Sequence, residues 1–325
     1  MSATISALAA YVPERVVTND DLARTIDTSD EWIRSHTGIR ERRIAAPDQA
    51  ASDLAIETAR LVLAQRDLPA DEVDLVVVAS SSPDYANFPS VASIVQDRIG
   101  ASRAGAFDLS AGCTGFVYAL EVGRSFVEAG SVNRVLVIGS EVLTRITNWN
   151  DRNTCVLFGD GAGAALVERD AGHAVLHSWL QSKGSGDAAL IRPAGGTRTP
   201  FDPQVHTLAD MQIQMDGRRV YLFAVDALVQ SVRTLCEREG ISPEDVSWIV
   251  PHQANLRIIE AAAKRLGLPL DRFFTNLDRF ANTSAASIPI AIDDMQQQGL
   301  LEEGQLILTV GFGAGLSYGG NLIRW

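Results

Sequence analysis

Cys113 lies where a strand should hand over to a buried helix, in Phe107-Asp108-Leu109-Ser110-Ala111-Gly112-Cys113-Thr114-Gly115-Phe116. The small residues around it leave room for a substrate and for close backbone approach. A thiol at a helix N-terminus faces unpaired N–H groups and the positive end of the helix dipole, which stabilise its thiolate. A free thiol is only about a few per cent ionised at neutral pH, so even modest stabilisation matters to a nucleophile. The competing reading is a small buried core residue, the commoner fate of a cysteine. Nucleophilic chemistry therefore needs partners from elsewhere in the chain.

Two other positions offer them. His252 follows Trp248-Ile249-Val250-Pro251, on the turn between a strand and the helix that starts near Asn255. Asn282 precedes Thr283-Ser284-Ala285-Ala286-Ser287, a run of small residues heading another helix. Each has an ordinary alternative: a hydrogen-bonded structural histidine and a helix N-cap. Asn282-Thr283-Ser284 is also formally a glycosylation sequon, which has no meaning in a cytosolic protein. Together, Cys113, His252 and Asn282 all fall at strand-to-helix junctions, where α/β folds gather ligands.

The elements that must position them alternate. Residues 75–79, 104–109 and 134–139 are short apolar runs expected of strands covered on both faces. Helices are expected near 51–66, 89–99 and 113–129, then at 218–239, 255–266 and 284–298, with a strand at 247–250. This alternation predicts an α/β fold. Gly159-Asp160-Gly161-Ala162-Gly163-Ala164-Ala165-Leu166-Val167 is echoed by the segment from Gly311 to Ile323, so the fold reads as a duplication. The join is expected within 170–215, where glycine-rich loops cluster. Gly159, Gly161 and Ala164 also fit the dinucleotide fingerprint, but the run leads into a strand instead of opening a helix.

The 325 residues allow one large domain or two of roughly 160 residues. A net charge of −12 argues against a general nucleic-acid or anionic-membrane binder. Three scattered cysteines, Cys113, Cys155 and Cys236, suit neither a disulfide framework nor a thiolate zinc site. No apolar stretch approaches the ~18 residues of a membrane span, and no signal-like segment opens the chain. A cytoplasmic protein, with no membrane or nucleic-acid partner, is the expectation.

Five stretches taken in order resemble β-ketoacyl-acyl-carrier-protein synthase III of the thiolase superfamily. They are Asp27–Ile33, Thr37–Arg42, Phe158–Ala164, Pro251–Arg257 and Asn282–Ser287. The resemblance implies a thiolase-like duplicated α/β fold, layered αβαβα, with two similar mixed-sheet halves at residues 1–170 and 171–325. It implies a homodimeric acyltransferase that condenses a short acyl-CoA, acetyl-CoA above all, with malonyl-acyl carrier protein and starts fatty-acid synthesis. Coenzyme A thioester is then a substrate, with no metal or other cofactor. Cys113 would carry the acyl group, and His252 and Asn282 would hold the enolate oxygen of the decarboxylated malonyl group. The backbone N–H groups of Cys113 and Ala314 would form the oxyanion hole.

Further roles follow from the same resemblance. Thr28, Trp32, Arg152 and Asn255 would bind coenzyme A, and Phe88 would close the acyl pocket of a dimer partner. Gln253, Arg257, Lys264, Arg265 and Arg218 would bind the acidic carrier protein, Arg257, Lys264 and Arg265 sharing one helix face. Departures from the family pattern are His36 for a common arginine, Leu222 where some relatives have lysine, Ala281 and Ala314 for glycines, and a longer loop before Phe88. These leave open a same-fold enzyme of specialised metabolism that takes longer or aromatic acyl groups or merely transfers them. A non-catalytic acyl-CoA sensor is a third reading, which the full set of three residues disfavours.

Overall fold

The computed structural model describes residues 2–170 and 172–325. After β1 (Ala3–Tyr11), the ribbon of β2 (Arg15–Thr18) and β3 (Glu41–Ile44) brackets α1 (Asn19–Ala23) and α2 (Asp30–Thr37). The first series continues through α3 (Ala51–Arg66), β4 (Leu75–Ala79), α4 (Val91–Ile99) and β5 (Gly105–Leu109). It closes with α5 (Gly115–Glu128), β6 (Arg134–Val142), the short α6 (Arg152–Cys155) and β7 (Asp160–Arg169). The second opens with β8 (His173–Ser182), the two-residue strands β9 (Leu190–Ile191) and β10 (Gln214–Met215), and α7 (Gly217–Glu239). It ends with β11 (Trp248–Pro251), α8 (Leu256–Leu266), α9 (Leu277–Phe280), α10 (Ser287–Gln297), β12 (Leu306–Gly313) and β13 (Ser317–Arg324).

Strand order is β11-β12-β13-β8-β1-β7-β6-β4-β5. Outward from the middle, β8-β13-β12-β11 repeats β1-β7-β6-β4. β4 runs parallel to β5 and β6, and β11 parallel to β12. Among the described residues the half-sheets pair through Thr4↔Ala174 and Ile5↔His173. Helices α3 and α4 cover the first half and α7 and α8 the second, while α5 and α10 pack on strands of both. The result is the expected α-β-α-β-α layering.

Local sequence explains the central layer. β4 is a continuous Leu-Val-Val-Val-Ala run, buried along its whole length, as a strand covered on both faces requires. Helix α5 lies close to it because Gly115 has no side chain; a Cβ there would stand 2.8 Å from the Cβ of Ala79. The Gly159-rich run is the body of β7, in which Cβ atoms on Gly161 and Gly163 would meet Ile290 and Pro289 of α10 at 2.8 and 2.7 Å. Those glycines admit a helix against a strand, which removes the dinucleotide reading. Both helices that lead from the site begin with a 3-10 turn, Gly112–Thr114 before α5 and Ser284–Ala286 before α10. The expected helix starts at 113 and 284 are these turns.

Candidate active site

Cys113, His252 and Asn282 line one cavity of about 620 Å³, together with Trp32, His36, Asn255, Arg218 and Phe312. A second cavity of about 480 Å³ opens on the other side of the sulfur, lined by Leu109, Leu143, Ile146, Ile213, Ser284 and Ala314. Cys113, Phe158 and Leu190 border both. Two mainly apolar chambers, the one that holds His252 and Asn282 the larger, therefore meet at the thiol.

Burial pushes the Cys113 thiol up to about 12, against the opposing effect of hydrogen bonds from the Ser284 hydroxyl and from the backbone N–H groups of Cys113 and Ala314. Helix-terminal stabilisation, expected from the sequence, is thus outweighed by desolvation. Gly313 permits the approach of Ala314, since a Cβ on it would lie 2.7 Å from the Cβ of Cys113 and 3.1 Å from its sulfur.

His252 is fully enclosed and ring-edge to Phe312, with centroids 5.2 Å apart. Burial lowers its pKa to about 3, so the imidazole is neutral at physiological pH. Nδ1 lies 2.7 Å from the Ser287 hydroxyl, whose oxygen also receives the Gln253 N–H at 3.4 Å. When the Ser287 hydroxyl donates to Nδ1, the neutral ring carries its proton on Nε2. Nε2 is buried with no protein partner. It is a neutral donor left free for something in the cavity.

Asn282 is oriented in the same way. Its carboxamide oxygen accepts the Ser284 N–H at 2.9 Å, which leaves the NH₂ group to donate. Its backbone is fixed by bonds to both sides of Phe158: Asn282 N–H donates to Leu157 O and Gly159 N–H donates to Asn282 O, at 2.9 and 3.0 Å. Asn282 precedes the 3-10 turn and does not cap it from the N-cap position, which Thr283 occupies.

Residues 107–184 match the family model 3-oxoacyl-[acyl-carrier-protein] synthase III, and residues 236–325 match its C-terminal model. β-Ketoacyl-[acyl-carrier-protein] synthase III of Caldanaerobacter subterraneus subsp. tengcongensis is 49% identical over 100% of this chain and 98% of its own length. Its counterpart in Clostridium acetobutylicum is 47% identical over 100% of this chain and 99% of its own. The chain belongs to the β-ketoacyl-acyl-carrier-protein synthase III family. The crystal structure of the Thermus thermophilus member superposes with a TM-score of 0.92 at 44% identity, covering 99% of each chain. A priming β-ketosynthase of the R1128 polyketide pathway superposes with a TM-score of 0.90 at 35% identity, covering 99% of this chain and 96% of the other.

The remaining positions divide. Trp32 stands at the cavity, stacked on His36 with centroids 4.4 Å apart and with the Arg152 guanidinium 4.1 Å from its ring. Thr28 is not among the cavity-lining residues, although its buried hydroxyl and Arg152 Nε both lack partners. Asn255 caps α8 by accepting the Arg257 N–H at 2.9 Å, and its NH₂ donates to His36 O at 3.1 Å, tying α8 to α2. Phe88 is 82% exposed and lines neither cavity of its own chain.

Gln253 is a correction. It is 1% exposed; its NH₂ donates to Pro251 O and Phe274 O, and its oxygen accepts the Asn276 N–H. A side chain consumed inside the fold has no surface to offer a carrier protein. Of the basic residues, Arg218 is exposed at the cavity mouth and Lys264 is exposed on α8. Arg265 is paired with Asp226, and Arg257 donates to Ser35 O at 3.0 Å, so the α8 face is less available than its charge count suggests.

Sequence reasoning missed Ser284, Ser287 and Glu141. Both serines lie within the motif that begins at Asn282. Glu141 carried one signal, a carboxylate closing an otherwise apolar strand-forming run.

Proposed function

We propose that this chain condenses a short acyl-CoA with malonyl-acyl carrier protein, giving 3-oxoacyl-acyl carrier protein at the start of fatty-acid synthesis. The observation that carries the reading is the meeting of Cys113, the unpartnered Nε2–H of neutral His252 and the free NH₂ of Asn282 in one cavity.

In the first half-reaction the Cys113 thiolate attacks the thioester carbon and coenzyme A leaves as a thiolate. The Cys113 and Ala314 N–H groups, already aimed at the sulfur, take the oxygen of the tetrahedral intermediate. In the second, malonyl decarboxylation places negative charge on a thioester oxygen. His252 and Asn282 donate to it without carrying a proton acidic enough to quench the carbanion. The carbanion then attacks the acyl carbon and expels Cys113. Loss of one such donor typically costs about 3–4 kcal/mol of barrier.

Coenzyme A enters past Trp32 and Arg218, and the acyl group rests in the apolar chamber beyond Cys113. Supporting a homodimer, Phe88 and Tyr85 are exposed aromatic residues on one loop, and light scattering that shows only monomer at micromolar concentration contradicts the Phe88 assignment. The halves meet near residue 170, and cytoplasmic placement accords with this substrate pair.

Purified protein given acetyl-CoA and malonyl-acyl carrier protein is expected to release CO₂ and form 3-oxoacyl carrier protein. Absence of both products, with active substrates, rejects the reading. The likeness to a polyketide priming synthase favours a second reading, a specialised pathway with another acyl-CoA. Mass spectrometry of Cys113 after exposure to a panel of acyl-CoAs separates the two.

A further inference from the structure

The two N–H groups assigned to the oxyanion come from opposite halves of the chain. Cys113 lies in the turn before α5, and Ala314 in the short loop between β12 and β13. A Cβ on Gly112 would stand 3.1 Å from the Ala314 nitrogen, and one on Gly313 would stand 2.9 Å from the Cys113 nitrogen. The two backbones therefore meet with no side chain between them. Ser317, buried at the start of β13, crosses from one to the other. Its hydroxyl donates to Ala111 O at 2.7 Å and is within donating reach of Ala314 O at 3.0 Å. From the other side the fully buried Thr114 hydroxyl donates to Ser317 O at 3.0 Å and lies 3.0 Å from Ser317 Oγ. The Thr114 N–H closes the turn on Ala111 O at 3.2 Å. Ser317 thus holds Ala111 and Thr114, which flank Cys113, together with the residue that carries the second N–H. Leu316 is anchored separately: its carbonyl accepts the Lys183 N–H at 2.7 Å, and its own N–H donates to Lys183 O at 3.3 Å. Loss of the 317 hydroxyl therefore leaves the end of the hairpin tied down.

We propose that Ser317, together with Thr114, is a positioning residue that fixes the separation of the Cys113 and Ala314 N–H groups and so sets the oxyanion hole. This rests on the reading of those two groups as donors to the tetrahedral intermediate. The Ser317 proton is taken by main-chain carbonyls, so the residue acts through the backbone and not on the substrate. What it supplies is preorganisation. Two donors stabilise one oxyanion only when both reach it at hydrogen-bond distance, and a displacement of about 1 Å can cost about 10²-fold in rate. Such an intermediate forms twice, when Cys113 attacks the acyl thioester and when the carbanion attacks acyl-Cys113. Ser317 should therefore matter to both half-reactions, whereas the influence of Ser287 passes through His252 to the second.

The test compares two reactions of Cys113 in the full-length protein. Acylation by p-nitrophenyl acetate passes through a tetrahedral oxyanion, while alkylation by iodoacetamide displaces iodide and forms none. Ser317→Ala should slow acylation, read as the p-nitrophenolate burst and by mass spectrometry of Cys113, by about 10- to 10²-fold, with alkylation within about threefold of wild type. With acetyl-CoA, the same variant should lose acylation rate at saturation while the half-saturating concentration stays within about threefold. Ser317→Thr, which keeps the hydroxyl, should recover most of the loss. Equal falls in acylation and alkylation, the mark of a displaced sulfur, overturn the proposal. So does wild-type acylation by Ser317→Ala, or a Ser317→Thr as slow as Ser317→Ala. Should Ser317→Ala fail to fold, Thr114→Val, which removes the other hydroxyl with little change of shape, decides by the same comparison. Wild type acylated by p-nitrophenyl acetate but by no acyl-CoA sinks the condensation, and the positioning role is then decided by the ratio of the two rates in Ser317→Ala. Wild type acylated by neither sinks both.

Discussion

Replacing Ser287 by alanine tests whether the tautomer of His252 is set by its neighbour. The substitution removes the hydroxyl 2.7 Å from Nδ1 and leaves a buried ring nitrogen without its donor. A hydroxyl donating to Nδ1 favours the Nε2–H tautomer by about 1–3 kcal/mol, and once it is gone the ring is free to move its proton from Nε2 to Nδ1. Every molecule that does so presents a lone pair where the enolate oxygen needs a donor. Complete loss of the donor is worth about 3–4 kcal/mol, so condensation should fall by somewhere between 10- and about 10³-fold. Acylation of Cys113, which draws on the Cys113 and Ala314 N–H groups, should keep its rate within about threefold. A thiol reagent follows coenzyme A release in a single turnover, and trapped ¹⁴CO₂ follows the second half-reaction. Equal losses in both, or wild-type CO₂ release from Ser287→Ala, would refute the tautomer argument. Ser287→Thr, which keeps a hydroxyl, should recover most of the activity.

Acid should weaken the fold through His252. Its pKa of about 3 in the native state lies below the 6.5 of the free side chain, so its share of stability is present above that value and is lost as pH falls. From pH 7 to 5 the loss is about 2 kcal/mol, read as the difference in denaturant unfolding between wild type and His252→Gln; identical pH slopes would contradict it. Gly313→Ala places a Cβ 2.7 Å from the Cβ of Cys113 and should abolish acyl labelling, which a wild-type labelling yield in that variant would disprove. Gln253→Ala deletes three internal hydrogen bonds and should lower stability by about 2–4 kcal/mol without a specific rise in KM for the carrier protein. A selective KM effect in a fully stable variant would restore its surface role.

The fold was readable where burial imposes a pattern. Leu75–Ala79 and Ala51–Arg66 announce a doubly covered strand and a helix by composition and period alone. Cys113 and His252 stand at strand-to-helix junctions as expected, whereas Asn282 lies between α9 and the 3-10 turn before α10. What stayed hidden depends on three-dimensional neighbours. Gln253 sits beside His252 in a motif of functional residues, yet its direction on the turn sends it inward to Phe274. Arg265 reads as free charge until Asp226 on α7 is brought alongside. The partners of Glu141 cannot be read from its neighbours in sequence, because they come from residues 80–82 and 285, far apart in the chain.

Helices α5 and α10 each lie against strands of both halves, while among the described residues the half-sheets share two residue pairs along their common edge. Each half therefore supplies part of the apolar floor beneath the other. Chains severed around residue 171 should be inert separately and regain acylation only when mixed, since neither fragment can shelter its own inner helix from water.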